Sequence, residues 1–180
     1  DVAGMSISSE GLFNWYTQAA ARLGGGAPTV LIDVDSFYSD LMVVANGSLC
    51  FSRSILVGAD QLLEDYDRWK DKLCREAQHS LETLAGEMPD VHPERVVLSG
   101  AASRIDGLDR DLGRHLDLES TATSCLDDVH RFPDQPVLSE ARYAPVSLTA
   151  LVGMGLNPDG LEFSLIPDSV RLKKELASRA

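Results

Sequence analysis

The chain opens with a helical pattern of apolar residues and continues with short apolar runs of strand type. Leucine and aromatic side chains recur at helical spacing within 6–23, and the glycine run at 24–26 ends that helix. The strand-type runs cover 29–34, 40–45 and 49–56. Asn46-Gly47, between the second and third runs, is a strong hairpin signal. These patterns predict a helix followed by a meander of three strands.

The rest of the chain alternates between helix and strand patterns. An apolar stripe from Gly58 to about residue 85 predicts one long helix that packs on the core. After it, the pattern predicts a strand at 94–99, a helix after Gly107 and a fifth strand within 118–126, whose apolar pattern is weakened by serine and threonine. A proline-rich loop at 132–145 and an apolar helix at 146–156 follow. After the first helix the order is therefore βββαβαβα. This order predicts an α/β protein with a mixed five-stranded sheet and helices on both faces.

Composition and charge exclude several classes of function. The 180 residues are 44% apolar and 24% charged, which suits a globular domain with a substantial core. The net charge of −12 argues against nucleic acid as a partner, because phosphate contacts need clustered lysine and arginine. Cys50, Cys74 and Cys125 are far apart and form no Cys/His ligand cluster, so we expect no metal site and a reduced, cytoplasmic location.

Two segments resemble motifs of the actin-like superfamily, which has a ribonuclease-H-like fold. Asp33-Val34-Asp35-Ser36-Phe37-Tyr38-Ser39-Asp40-Leu41 is similar to that superfamily's second phosphate motif. Val96-Val97-Leu98-Ser99-Gly100-Ala101-Ala102-Ser103-Arg104-Ile105-Asp106-Gly107-Leu108 resembles its adenosine motif, with an apolar strand, a glycine turn and a later glycine-apolar pair in register. The resemblance covers about residues 1–156 and implies the second lobe of a two-lobed protein. In this topology we expect the strand at 94–99 to lie next to the first strand and to run parallel to it.

Within this superfamily the sequence resembles the PilM family of type IV pilus assembly and the related GspL proteins of type II secretion. Residues 73–81 and 111–116 are similar to two PilM helices. The first-lobe phosphate motif is missing, and the insertion that usually builds a small outer subdomain, between Leu56 and Trp69, is almost deleted. The resemblance implies a cytoplasmic protein at the inner face of the cytoplasmic membrane.

The resemblance also implies which residues would form a nucleotide site. These cofactor-binding candidates are Asp33, Asp35, Ser36, Gly100, Ser103 and Gly107. A working phosphate turn uses glycines, whose backbone N–H groups approach the phosphates, but Asp35, Ser36 and Phe37 stand at these positions. At about 4 Å, the repulsion between a carboxylate at Asp35 and a phosphate is about 4 kcal/mol. Asp33 alone is a poor magnesium site.

We therefore expect a degenerate, unoccupied nucleotide site with no catalytic residue and no cofactor. Asp33 then serves as a turn acceptor, and Gly100 and Gly107 shape turns. The alternative is an actin-like domain that binds ATP and Mg, an ATPase or sugar-kinase relative, which needs a missing first lobe. Nuclease and serine-hydrolase chemistry find no support, because the acids do not complete a two-metal set and Ser99 lies in no Gly-x-Ser-x-Gly motif.

The tail at 157–180 carries a second resemblance. Leu161-Glu162-Phe163-Ser164-Leu165-Ile166-Pro167 is similar to the short segment of PilN proteins that binds PilM and precedes a membrane span. Its partner-binding candidates are Phe163, Leu165, Ile166 and Pro167, which we expect to dock on this lobe or on a neighbouring chain. The basic stretch 171–180 fits either a juxtamembrane position, with a span after Ala180, or an ordinary surface helix.

Taken together, the residues and the resemblance predict a non-catalytic cytoplasmic scaffold or adaptor. Its expected partners are inner-membrane proteins of a pilus-assembly or type II secretion platform. Self-association through the tail is a further expectation.

Overall fold

The computed structural model describes residues 7–23, 25–127 and 146–156, except for the side chain of Ser103. The helices are α1 (Ser8–Ala19), α2 (Ala59–Glu64), α3 (Tyr66–Glu87), α4 (Leu108–Leu116) and α5 (Thr149–Leu156). The strands are β1 (Thr29–Val34), β2 (Ser39–Ala45), β3 (Ser48–Ile55), β4 (Arg95–Gly100) and β5 (Glu119–Ala122). Two 3₁₀ turns lie at Ala101–Arg104 and Cys125–Asp127.

The five strands form one mixed sheet in the order β3-β2-β1-β4-β5. β2 pairs antiparallel with both β1 and β3, while β4 pairs parallel with both β1 and β5. The predicted meander and the predicted mixed sheet are confirmed. The prediction that the fourth strand lies next to the first and parallel to it is confirmed as well.

The sheet carries a separate apolar core on each face. Every residue of β1 and β2 is buried, as expected for central strands that are covered on both sides. Val30, Ile32 and Val34 belong to the core that also contains residues of α2, α3 and α4. Leu31 belongs to the opposite core, to which α1 contributes Leu12, Trp15, Tyr16 and Ala19. Alternation along β1 thus divides its side chains between two helical layers.

The long helix predicted from Gly58 to about residue 85 is in fact two helices, α2 and α3. Asp65 separates them with a non-helical backbone (φ −148°, ψ 87°), and its side chain accepts a hydrogen bond from the Arg68 backbone N–H at 3.3 Å. Aspartate is a favoured helix N-cap, and a cap begins a new helix without interrupting the apolar stripe. Periodicity alone therefore could not show this break.

The other predicted boundaries differ from the observed ones by a few residues. The first helix extends over Ser8–Ala19, and α5 begins at Thr149, three residues later than expected. The fifth strand occupies only Glu119–Ala122 of the predicted stretch. The loop predicted at 132–145 and the tail at 157–180 lie outside the described residues. Among the helices that the structure describes, none is both long and apolar enough to cross a membrane.

Candidate functional site

The parallel pairing of β1 and β4 brings the two sequence motifs together at one end of the sheet. In the register of this pair, Asp33 lies beside Ser99, and Val34 lies beside Gly100. The Ser99 hydroxyl donates a hydrogen bond of 2.6 Å to Asp33 Oδ1. Both side chains are buried, so this contact is shielded from water. Two of the predicted site residues, Asp33 and Gly100, are therefore neighbours across the sheet.

Gly100 has a backbone and a packing environment that only glycine satisfies. Its φ of +67° lies in the region that side-chain-bearing residues rarely adopt. A Cβ here would lie 2.5 Å from the Val34 carbonyl oxygen, 2.8 Å from Asp33 Oδ1 and 2.9 Å from the Ser147 Cβ. Gly100 thus shapes the turn after β4 and makes room for the chain that enters α5.

The chain that enters α5 completes the site. The Ser147 hydroxyl donates to Asp33 Oδ1 at 2.9 Å, and the Ser147 backbone N–H donates to Asp35 Oδ1, also at 2.9 Å. The Thr149 N–H in turn donates to the Ser147 hydroxyl oxygen at 3.1 Å. Sequence reasoning missed Ser147 and Thr149. The available signal was a Ser-x-Thr pair just before an apolar helix, which is typical of a helix N-terminus.

The turn between β1 and β2 is held internally as well. The Ser36 N–H donates to Asp35 Oδ1 at 2.8 Å, and the Asp35 N–H donates to the Tyr38 carbonyl at 2.9 Å. From the other side, the first N–H groups of α2, on Ala59 and Asp60, donate to the carbonyl oxygens of Asp35 and Ser36 at 2.8 and 3.0 Å. The backbone N–H groups of Asp35 and Ser36, which a phosphate turn would direct at an anion, are therefore engaged within the protein.

Burial determines the electrostatics of the site. It raises the pKa of Asp33 above the usual value for a carboxyl, and the charge of Asp40 adds to that effect. Hydrogen bonds from Ser99, Ser147 and Thr149 oppose the rise, because they stabilise the charged form. The pKa of Tyr38 is also raised, by burial and by the nearby charges of Asp35, Asp40 and Asp33.

The remaining predicted residues contribute to the turns around the site. Ser36 is buried in the turn between β1 and β2. Gly107, at φ +85°, precedes α4, and its carbonyl accepts the Asp111 N–H at 2.9 Å. Ser103 lies in the 3₁₀ turn after β4, but its side chain lies outside the described part of the chain. The tail residues Phe163, Leu165, Ile166 and Pro167 also lie outside the described residues.

The arrangement offers little space for a ligand. A depression beside Gly100, bordered by Arg104 and Leu148, has a cavity volume of about 10 Å³. Small-molecule sites usually measure about 300–1,000 Å³. Within the described ranges, no group of three or more His, Cys, Asp and Glu residues is placed to hold a metal ion. The described hydroxyls and amides instead satisfy the Asp33 and Asp35 carboxylates.

No protein-family model matches the sequence, and no curated protein matches it either. Solved structures do match. The PilM–PilN type IV pilus biogenesis complex superimposes with a TM-score of 0.59 and 18% identity, over 86% of this chain and 52% of the other. Weaker matches include the ethanolamine utilization protein EutJ from Carboxydothermus hydrogenoformans (TM-score 0.43, 13% identity, 79% and 53% covered). MreB 5 of Spiroplasma citri bound to AMPPNP is another (TM-score 0.45, 11% identity, 93% and 61% covered).

The chain spans about half the length of the PilM–PilN chain that it matches. At 18% identity, that similarity carries information about the fold alone. The sheet order and the helices on both faces agree with it. The chain therefore has the fold of a ribonuclease-H-like lobe of the actin-like class.

Proposed function

We propose that this chain is a non-catalytic actin-fold adaptor of a type IV pilus-assembly or type II secretion platform. In this role it binds inner-membrane platform proteins from the cytoplasmic side and does not turn over ATP. The adaptor holds no metal or nucleotide, and its contribution is a rigid surface for partner proteins.

The observation that carries the proposal is the closed state of the candidate phosphate turn. Ser147 donates through its hydroxyl to Asp33 and through its backbone N–H to Asp35. To reach Asp33, a metal-bound nucleotide would have to displace Ser147 and break both hydrogen bonds. It would also meet the Asp35 carboxylate, which repels phosphate. Closure by Ser147 and repulsion by Asp35 act in the same direction, against nucleotide binding.

The likeness to the PilM–PilN type IV pilus biogenesis complex supports the proposed role in a pilus-assembly or related secretion platform. That complex pairs an actin-fold chain with another pilus protein, so this fold can serve in protein assembly. The resemblance of residues 73–81 and 111–116 to PilM helices points in the same direction. On the basis of the same likeness, we propose a cytoplasmic position at the membrane.

Paired binding measurements on the whole chain test the proposal. Isothermal titration with MgATP and with MgADP should give no binding at millimolar nucleotide. Immobilised chain should retain purified inner-membrane subunits of a pilus or secretion platform. The matched control for the second arm is Arg53→Glu, which changes a half-buried ion pair between Arg53 of β3 and Glu76 of α3.

A dissociation constant for MgATP below about 0.1 mM, lost in Asp33→Ala, would contradict the adaptor role and favour the ATP-binding alternative. Asp35→Gly separates the two proposed causes that exclude nucleotide, which are closure by Ser147 and repulsion by Asp35. It removes the charge but leaves the Ser147 hydroxyl on Asp33, so nucleotide binding should remain undetectable in that variant. Strong binding by Asp35→Gly alone would show that Ser147 does not close the site.

A further inference from the structure

The solvent side of α3 carries a row of three positive side chains, which we call the cationic stripe. Arg68, Lys72 and Arg75 follow one another at spacings of four and three residues, so they lie on the same side of the helix. Arg68 and Arg75 are exposed, and Lys72 is half-buried. The stretch 68–75 holds four basic residues and one acidic residue, whereas the whole protein has a net charge of −12. The cationic stripe is therefore a local reversal of the protein's charge.

The cationic stripe lacks acidic partners. Among the residues that the structure describes, no Asp or Glu oxygen lies within 4 Å of its charged nitrogens. Other basic residues nearby do form ion pairs. Lys70, in the same stretch of α3, contacts Asp67 at 3.2 Å and Asp71 at 3.6 Å. Arg53 of β3 contacts Glu76 at 3.4 Å. The acids that neighbour the cationic stripe in sequence are thus paired with other cations.

Trp69 holds two of the three cations in place. The centroid of its ring lies 5.1 Å from the guanidinium carbon of Arg68 and 5.0 Å from Nζ of Lys72. The ring packs against the core beneath α3, which makes it a fixed support. Such cation–π contacts orient a positive group without cancelling its charge. The cationic stripe is therefore ordered before a partner binds, and this order lowers the entropic cost of binding.

We propose that the cationic stripe of α3 is a docking surface for an acidic helix of another protein, whose Asp or Glu carboxylates pair with Arg68, Lys72 and Arg75. The stripe extends over about 10.5 Å, at 1.5 Å per residue, and carboxylates spaced three or four residues apart on a partner helix have the same repeat. Arginine suits this role because its guanidinium binds a carboxylate through two parallel hydrogen bonds. The inference goes beyond the adaptor role and does not depend on it, since no residue of the stripe belongs to the candidate nucleotide site.

The narrowness of the cationic stripe favours a protein segment over an anionic membrane. Asp67 and Asp71 are exposed on the same helix, one turn apart. A flat anionic surface pressed onto the stripe would also approach these two acids, and charges interact over about 8 Å at physiological ionic strength. The net charge of −12 adds to this repulsion. A single acidic helix can lie along the stripe without covering the neighbouring acids.

Binding of a designed helical peptide to the whole chain tests the proposal. The probe is a fluorescently labelled, alanine-based peptide with glutamates spaced three and four residues apart, and its counterpart has glutamine at the same positions. At low ionic strength, fluorescence anisotropy should show about tenfold tighter binding of the glutamate peptide, the combined effect of three exposed ion pairs. The preference should vanish at about 1 M salt, where the screening length is about 3 Å.

Charge-neutral variants connect this preference to the cationic stripe. The double variant Arg68→Gln, Arg75→Gln should bind both peptides equally weakly. Arg110→Gln is the matched control, because Arg110 is an exposed arginine on α4, and it should retain the preference. Equal affinity of the wild type for the two peptides would overturn the proposal. A preference that survives in the double variant would overturn it as well.

Two further measurements establish where and what the stripe binds. In Trp15→Phe, where Trp69 is the sole tryptophan, the emission should change when the glutamate peptide binds, because the peptide draws Arg68 and Lys72 toward its carboxylates. Unchanged emission would place the peptide elsewhere and overturn the proposal. Vesicles rich in phosphatidylserine should not bind the wild type. Vesicle binding that is lost in the double variant would also overturn the proposal, because it would assign the stripe to a membrane.

Discussion

Two buried carboxylates, Asp33 and Asp40, lie directly opposite each other across β1 and β2. Like charges at such positions destabilise a sheet unless other groups offset them. Here each carboxylate accepts hydrogen bonds from serine hydroxyls: Asp33 from Ser99 and Ser147, and Asp40 from Ser8 and Ser54. These serines come from α1, β3, β4 and the start of α5. The acid pair therefore ties four separate segments to the centre of the sheet.

The raised pKa of Asp33 gives the protein a predictable pH dependence. A carboxyl whose pKa is higher in the folded state binds its proton more tightly in the folded protein than in the unfolded chain. The free energy of unfolding therefore falls as the pH rises above the ordinary carboxyl pKa of 3.8. Asp33→Asn cannot ionise. The free energy of unfolding of Asp33→Asn, measured with urea from pH 4 upward, should increase relative to that of the wild type as the pH rises toward neutrality.

A matched substitution shows whether this change belongs to the buried site. Asp90→Asn removes an exposed carboxyl in the turn after α3, outside the buried site, and serves as the control for the loss of one negative charge. A profile of Asp33→Asn that runs parallel to the wild type would mean that Asp33 titrates alike in the folded and unfolded chains. The raised pKa would then be incorrect.

At the scale of elements, α1 and α5 touch through their backbones. A Cβ added at Gly153 would lie 1.7 Å from the carbonyl oxygen of Gly11, and one added at Gly11 would lie 2.3 Å from that of Ala150. Two helices can approach this closely only where both lack side chains. The same contact fixes the start of α5, and so it positions Ser147 over Asp33 and Asp35.

Gly153→Ala should therefore separate the two helices and destabilise the protein by about 1–3 kcal/mol, the usual cost of overpacking. Amide exchange at Ser147 should also accelerate, because its N–H would move away from Asp35. Gly155→Ala, on the same helix, is the control: among the described residues, no atom lies within 4 Å of its added methyl group. It should stabilise by about 0.5–1 kcal/mol through better helix propensity. Equal effects of the two substitutions would contradict the close α1–α5 contact.

Sequence reasoning predicted the elements that depend on local patterns. The strands β1 to β3 and the fourth strand were predicted correctly, because apolar runs between turn residues specify them without reference to the rest of the fold. It failed at Asp65, where a capping residue divides a continuous apolar stripe. Pattern gives the buried face of a helix, whereas the break depends on one local side-chain hydrogen bond.

The candidate site shows the same division between local and distant information. The resemblance assigned Asp33 and Gly100 to one site, and the parallel pairing of β1 and β4 does bring them together. Ser147 was not predicted, since 114 residues separate it from Asp33 and only the packing of α5 on α1 brings them together. No periodicity carries that information. The prediction that Asp35 faces a phosphate stays untested, while its observed hydrogen bonds lie within the protein.

At the scale of the whole molecule, one sheet supports two apolar cores that share no helix. Trp69 packs against the core beneath α2, α3 and α4, whereas Trp15 is fully buried in the core beneath α1 and α5. The protein has two tryptophans, so each core carries its own fluorescent probe. Because β1 contributes alternate residues to both cores, loss of either one should destabilise the sheet on which the other depends.

We therefore expect both cores to unfold in one transition. In Trp69→Phe, the urea curve from Trp15 fluorescence should coincide with that from far-ultraviolet circular dichroism, and the same should hold for Trp69 in Trp15→Phe. Trp15→Phe should be the less stable variant, by about 1–3 kcal/mol, because it leaves a gap in a fully buried position. A Trp15 signal that changes at lower urea than the dichroism would show that α1 and α5 detach first. In that case the segment that carries Ser147 would leave Asp33 and Asp35 before the sheet unfolds, and the closed turn would be open in a populated intermediate.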